Sequence, residues 1–382
     1  MLILYDAKKE FGQKVTDLIM KMDLSREDTR DLFGQVLLDL QPDAQQGAFL
    51  AAITAKGATP DELAGIWDAI YDLDTAKVNP NVSDFLVDNC GTGMDNFQTF
   101  NISTAASIVA AAGGITMAKH GARAITSVCG TIDILETLGI DVECDVSLVQ
   151  RSIEKAGIGI FNGMNPKVHP VGLGRILSKI CFGTVLNISG SLANPVLPKY
   201  GVRGVYSKDL VIPIVQTMRA IGYVRSVVFH GLNGDGRKGM DEISPSGETY
   251  VGELFSDGEI SMYKLTPQYF DIEPIDERLL APANSLEDEA VDFLRVISGD
   301  DMGAREDTVC INAAPIFYIA GKARDMKEGF DISKEIVQSG KALVKLNQWV
   351  EVQNSDSQTG LNKLRFLIEK AANYSREPIS II

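Results

Sequence analysis

Apolar residues recur at helical spacing through the first seventy or so positions, and from about residue 84 they gather into short compact runs. Ser25 precedes REDTRDLFGQVLLDL, with Asp28 three residues on, a loose capping box for a first helix. Asp43 opens a second, through AQQGAFLAAITAK, and Gly57 stands where a helix-ending glycine belongs. Thr59, Pro60 and Glu62 form the N-terminal signature of a third, whose Leu63, Ile66, Trp67, Ile70 and Tyr71 make one apolar face for core or helix–helix packing. FLVDNC (85–90) then reads as a strand, GTGMDNFQT as a glycine-rich turn and NISTAASIVAAAGG as a helix of small residues. ITMAKH (115–120), IGIFNG (158–163) and RSVVFHG (225–231) are further strands. Thr131 is placed to cap a helix over IDILETLG, and Ser285 one over EDEAVDFLRVIS. Residues 309–351 read as paired helices broken near Gly321, Gly329 and Gly340, and 353–360 as a polar loop before a last helix. Strands alternating with helices predict an α/β sheet.

Composition narrows the function. The 382 residues carry 36 Lys and Arg against 51 Asp and Glu, a formal net charge of −15. That balance argues against nonspecific nucleic-acid or anionic-membrane binding, both of which need a basic surface. Five cysteines without CxxC spacing and three histidines do not suit a zinc site or a disulfide framework, and a reducing cytoplasm is expected. The uncharged stretches 96–118 and 180–198 are interrupted by Gly, Asn and other polar or helix-breaking residues, and the N-terminal apolar run is short, so neither a membrane span nor a signal peptide is expected.

Three blocks carry candidate chemistry. In 91–104, GTGMDNFQTFNIST, a strand, a glycine turn and a helix N-terminus form an anion site, with Thr92, Thr99, Ser103 and Thr104 adding hydroxyls. An ordinary capped turn would look similar. Asp95 cannot serve phosphate and is read as ordering the loop or meeting a sugar hydroxyl or an amine. Block 119–127, KHGARAITS, brings Lys119, His120 and Arg123 to a strand end, where they could face the same phosphates or simply be solvated. Asp241–Glu242 is an adjacent carboxylate pair suited to Mg²⁺, although surface acid pairs are common in so acidic a chain.

Taken in order, DLSREDTRDLF, GAFLAAITAKGATPDELAG, the glycine loop with NIST, KHG followed by GTIDILETLG, LNISGSLANP, MDEIS, INAAPIFYIAGKA and SGKAL resemble the anthranilate phosphoribosyltransferase family over nearly the whole chain. Pyrimidine nucleoside phosphorylases are more distantly similar. The resemblance implies an α/β fold: a small helical domain (1–78 with about 168–182) and a larger α/β domain (79–167 and 183–382) with a central, mostly parallel sheet flanked by helices. It implies Mg²⁺-dependent transfer of the phosphoribosyl group from 5-phosphoribosyl-1-pyrophosphate (PRPP) to the amine of anthranilate, releasing pyrophosphate in tryptophan biosynthesis. It also implies a homodimer paired through the helical domain. Carried over by position, Gly91, Thr92, Gly93, Asp95, Thr99, Asn101, Ile102, Ser103 and Thr104 would line PRPP, with Lys119, His120, Gly121, Arg123, Ser127 and Thr131. Gly91, His120, Ala122, Arg175 and Ser178 would meet the acceptor. Ser103 with Glu242 would hold one Mg²⁺, and Asp241 with Glu242 a second.

The chain departs from the family at several of these places. GTGGD is GTGMD, so Met94 replaces a glycine. KHGNR is KHGAR, so Ala122 replaces the asparagine that contacts anthranilate, and S-S-K-S-G is TSVCG, with Val128 and Cys129. Counting back from LNISGSLANP places Leu177 and Ser178 at the paired arginine that grips the anthranilate carboxylate. Arg175, or else Lys179, could substitute after a shift of register, with Arg175 preferred for its planar fork. Transfer to a different aromatic amine, nucleoside phosphorolysis and a non-enzymatic binding role are the other readings.

Overall fold

The structure is a computed structural model describing residues 2–82, 85–95, 97–124 and 129–373, with side chains from residue 8. Ser127, one of the expected PRPP contacts, lies outside the described residues. Four helices open the chain: α1 (Leu2–Ile19), α2 (Arg26–Leu37), α3 (Asp43–Lys56) and α4 (Pro60–Asp74). Ser25 caps α2 through the Asp28 N–H, and Thr59 with Glu62 forms the full capping box at α4. There follow β1 (Leu86–Gly91), α5 (Ile102–Ala112), β2 (Thr116–Gly121), α6 (Thr131–Thr137), α7 (Val146–Ala156), β3 (Ile158–Asn162), α8 (Leu173–Ile180), α9 (Leu186–Leu192), β4 (Tyr200–Gly204), α10 (Val211–Ala220) and β5 (Arg225–Leu232). The remainder is β6 (Gly239–Met240), β7 (Thr249–Leu254), β8 (Ile260–Leu265), α11 (Leu286–Ser298), α12 (Ala304–Ile319), α13 (Met326–Gln338), α14 (Lys341–Val352) and α15 (Ser357–Ala372).

The sheet runs β3-β2-β1-β4-β5-β7-β8, with β6 on β5. β3 to β5 pair in parallel, whereas β6, β7 and β8 are antiparallel additions. Side chains alternate between two cores. Val87, Met117, Val202, Val227 and Val251 join the core under α5 and α11–α14, while Val228 and Leu254 join the one shared with α2–α4 and α8–α10. The helical layer therefore takes in α9 as well as α8: Trp67 Nε1 donates to Leu192 O (2.9 Å), and Ser189 Oγ to Leu63 O (2.9 Å).

Several local expectations change. Gly130, not Thr131, precedes α6, and the Asp133 carboxylate accepts from both the Gly130 and Ala124 N–H groups (3.0 and 2.9 Å). Gly329 lies inside α13 rather than in a break, where a Cβ would come within 2.5 Å of Ala314 O; its role is to let α12 and α13 touch. The polar stretch 353–360 already contains the start of α15, capped by Asp356, and its Gln353 is buried against the Ile160 backbone.

Candidate active site

The order of strands reverses at β1: β2 lies on one side of it and β4 on the other. In open α/β sheets the crevice at the carboxyl ends of such strands is where ligands bind. Here β1 ends at Gly91 and β4 at Gly204, and Asp241 sits between them. A Cβ on Gly91 would lie 2.1 Å from Asp241 Oδ2, and one on Gly204 only 1.6 Å from Asp241 O. The first glycine of GTG is thus required by a carboxylate that follows β6, 150 positions away in the chain. Gly93 turns the loop with φ +62° and donates its N–H to Asp241 Oδ2 (2.7 Å). Thr92 is bound into the loop, its Oγ1 accepting from Tyr206 N (3.2 Å) and donating to Gly93 O (3.2 Å).

Around this crevice lies a cavity of about 450 Å³, a size usual for small-molecule sites. Three carboxylates face it: Asp95, Asp241 and Glu242. Burial first, then the neighbouring charge of Asp241, pushes the Asp95 carboxyl up to about 8. Burial likewise raises Asp241, and burial with the Asp241 charge raises Glu242. Glu242 Oε1 accepts from Ser103 N (3.2 Å) and Glu289 Oε1 from Asn101 N (3.3 Å), so two carboxylates already hold N–H groups at the start of α5. Two of the N–H groups at the anion site expected at this helix are therefore held by carboxylates of the chain itself.

On the β2 side, Gly121 ends the strand and packs on Thr131, while His120 and Arg123 reach the cavity. The Arg123 guanidinium pairs with Asp133, Glu136 and Glu143 at 3.2, 2.7 and 2.9 Å. His120 is 2% exposed; its Nε2 lies 3.1 Å from His169 Nε2, its Nδ1 lies 3.2 Å from Ser191 O, and His169 Nδ1 lies 2.8 Å from Asp74 O. Burial and the neighbouring His169 hold the His120 imidazole down to about 3, and burial lowers His169 too. Lys119 does not line the cavity. It points into the core, 1% exposed, donating to Asn89 O (2.5 Å) and Ser107 Oγ (3.0 Å), and burial lowers its pKa. The strand alternation that sends His120 toward the cavity sends Lys119 to the opposite face.

The opposite wall is helical. The Asp74 carboxylate, at the end of α4, accepts from the N–H groups of Val171, Gly172 (3.0 Å) and Leu173 (2.6 Å) and so fixes the start of α8. Leu173 and Leu177, one turn apart, then face the cavity, with Leu186, Asn187, Gly190 and Ser191 from α9. Met94 stands at φ +71°, a left-handed conformation that costs a non-glycine residue roughly 1–2 kcal/mol. Its side chain covers Gly183, whose Cβ position is 2.4 Å from Met94 Cε.

Of the residues expected from sequence, Gly91, Thr92, Gly93, Asp95, Thr99, Asn101, Ile102, Ser103, His120, Gly121, Ala122, Arg123, Thr131, Asp241 and Glu242 line this one cavity. Thr104, Lys119, Arg175 and Ser178 do not. Thr104, in the first turn of α5, is fully buried. Arg175 is turned the other way along α8: it donates to Gln46 Oε1 (3.1 Å) and Val36 O (2.7 Å) and pairs with Asp39 (3.3 Å), binding α8 to α2 and α3. Ser178 is exposed and donates to Arg175 O (2.9 Å). Lys179 pairs with Asp43 on the outer surface (3.2 Å). Leu173, Leu186, Asn187 and Phe97 were not singled out from sequence; the one-turn spacing of Leu173 and Leu177 was the available signal.

Residues 83–343 match the α/β domain of a glycosyl transferase family, and residues 13–73 its helical bundle domain. The anthranilate phosphoribosyltransferase of Methanococcoides burtonii is 39% identical over 346 residues, 90% of this chain and 93% of its own. That of Desulfosudis oleivorans is 34% identical over 348 residues, 91% and 99% of the two chains. Among solved structures, anthranilate phosphoribosyltransferase from Thermus thermophilus superposes with a TM-score of 0.78 at 29% identity, covering 92% of this chain and 99% of that one. The Saccharomyces cerevisiae enzyme, solved in complex with PRPP and Mg, shares the fold (TM-score 0.77, 24% identity, 91% and 99% covered).

Proposed function

We propose a function from one premise: the chain belongs to the anthranilate phosphoribosyltransferase family of glycosyl transferases and is an enzyme of that class. In this reading it transfers the phosphoribosyl group of PRPP, with Mg²⁺, to the amine of an aromatic acceptor and releases pyrophosphate. The observation that carries it is the clustering of Asp95, Asp241 and Glu242 at the β1/β4 crevice, beside the hydroxyls of Thr99, Ser103 and Thr131. Among the described residues no three acidic, His or Cys side chains converge as a closed metal cage. Mg²⁺ needs none, since it takes one or two carboxylates and completes its shell with water and phosphate oxygens. Hard oxygen donors, buried and mutually repelling, fit that ion, and Asp241 and Glu242 would hold it. When bound, it would neutralise charge developing on the leaving pyrophosphate.

The chain's own residues position and exclude. Gly91 and Gly204 admit Asp241 to the crevice, Gly93 N–H orients its carboxylate, and α8 and α9 close the cavity from the other side. In this reading the amine attacks the ribose carbon directly as pyrophosphate leaves, and the rate gain comes from placing the two reactants together and from electrostatics. The relatives' names support anthranilate as acceptor. The leucine wall favours a second reading, a different aromatic amine. Pyrophosphate release that requires PRPP, Mg²⁺ and an acceptor tests the proposal; phosphorolysis of a nucleoside without PRPP would overturn it.

A further inference from the structure

The cavity is divided in its chemistry. Met94, Leu173, Leu177 and Leu186 make its helical end mostly apolar, beside the uncharged polar Asn187 and Ser191 of α9. The only basic groups among its described lining residues are Arg123 and His120. Arg123 is already ringed by three carboxylates, and His120 directs its ring nitrogens at His169 and the Ser191 carbonyl, leaving none for a ligand. The two basic residues of α8, Arg175 and Lys179, are held outside by Gln46, Asp39 and Asp43. Residues 125–128, next to Ala124 in the chain, are Ile, Thr, Ser and Val and carry no charge.

An acceptor carboxylate in the apolar end would lose its water and find no free side-chain cation among the described residues. It would also share the cavity with Asp95, Asp241 and Glu242 and with the anionic donor. An unpaired charge in such a place is disfavoured far more than a neutral group of the same shape. We propose that the acceptor is an uncharged aromatic amine, one bearing no carboxylate, and that Leu177 and Met94 are the residues that set this preference. This rests on the PRPP-transfer reading above. It names the acceptor class that the leucine wall admits: a flat apolar ring against α8 and α9, with the amine toward the carboxylate side.

The test is pyrophosphate release at fixed PRPP and Mg²⁺ with four acceptors: anthranilate, its neutral isosteres anthranilamide and methyl anthranilate, and aniline. The expected result is a kcat/KM for the two isosteres at least about tenfold above that for anthranilate. Leu177→Arg, which offers a fork to a carboxylate, is expected to shift the anthranilate-to-anthranilamide ratio toward anthranilate by about tenfold or more. The wild-type panel decides the matter even if that variant does not fold. Equal use of anthranilate, or preference for it, overturns the inference and leaves PRPP transfer standing. Release with none of the four overturns this inference alone when calorimetry shows that PRPP binds, and both readings when it shows no binding.

Discussion

The two walls of the cavity are built by opposite means. On the sheet side, strand ends and glycines admit carboxylates: Gly91 and Gly204 exist to accommodate Asp241, and the α5 N–H groups are held by Glu242 and Glu289. On the helical side, one buried carboxylate, Asp74, fixes the start of α8, and mostly apolar, uncharged side chains line the surface. Backbone geometry thus constrains the first wall, while the second is constrained only by which side chains α8 turns inward. A chain can keep its donor chemistry and change its acceptor by altering a few residues on one helix.

The largest expected effect would break that contrast at the sheet wall. Asp241→Ala with Glu242→Ala is expected to lower acceptor-dependent pyrophosphate release by about 10²–10³-fold, the usual scale for loss of an electrostatic element. Unchanged Mg²⁺-dependent turnover would remove the metal assignment. Gly91→Ala adds a methyl where Asp241 Oδ2 stands, and overpacking of this kind costs roughly 1–3 kcal/mol. A lower thermal midpoint together with a higher Mg²⁺ requirement is expected, and either effect without the other would separate folding from function.

The helical wall is sharpened by Arg175→Ala. Arg175 ties α8 to Gln46 and the Val36 carbonyl, so its loss is expected to destabilise the protein in urea by about 1–3 kcal/mol while leaving the acceptor KM within about twofold. A selective rise in acceptor KM would return Arg175 to the site.

The smallest effect concerns His120 and His169. Both imidazoles have folded-state pKa values below the unfolded value near about 6.5, so the unfolded chain binds more protons in acid. Their contribution to stability is present above about pH 6.5 and is lost as pH falls, at up to about 1.4 kcal/mol per pH unit for each. Urea unfolding at pH 7.5 and 5.5 measures the slope, and His120→Gln is expected to flatten it.

These contrasts also explain what could be read in the sequence. The glycine loop, the α5 start, the β2 end and Asp241–Glu242 all lie at strand or turn positions where residue type and backbone geometry are tightly coupled, and the structure gathers them around one cavity. The capped helices α2, α4 and α11 were legible for the same local reason. Lys119 was not, because a one-residue step along β2 reverses the face it occupies, and its partners Asn89 and Ser107 lie on β1 and α5. Arg175 was misplaced because facing on a short helix depends on register, which Asp74 sets from nearly 100 positions away. The antiparallel strands β7 and β8 were missed although Asp257–Gly258 turns between them, with Gly258 at φ +89°, so this hairpin signal was present in the sequence and not used.

The most direct test of the central claim is pyrophosphate release from PRPP with Mg²⁺, with and without an aromatic amine, in the wild type and in the Asp241→Asn, Glu242→Gln double variant. Release that requires the amine and is lost in the variant is the predicted result. Release indifferent to both carboxylates, or activity only with inorganic phosphate and a nucleoside, would contradict it.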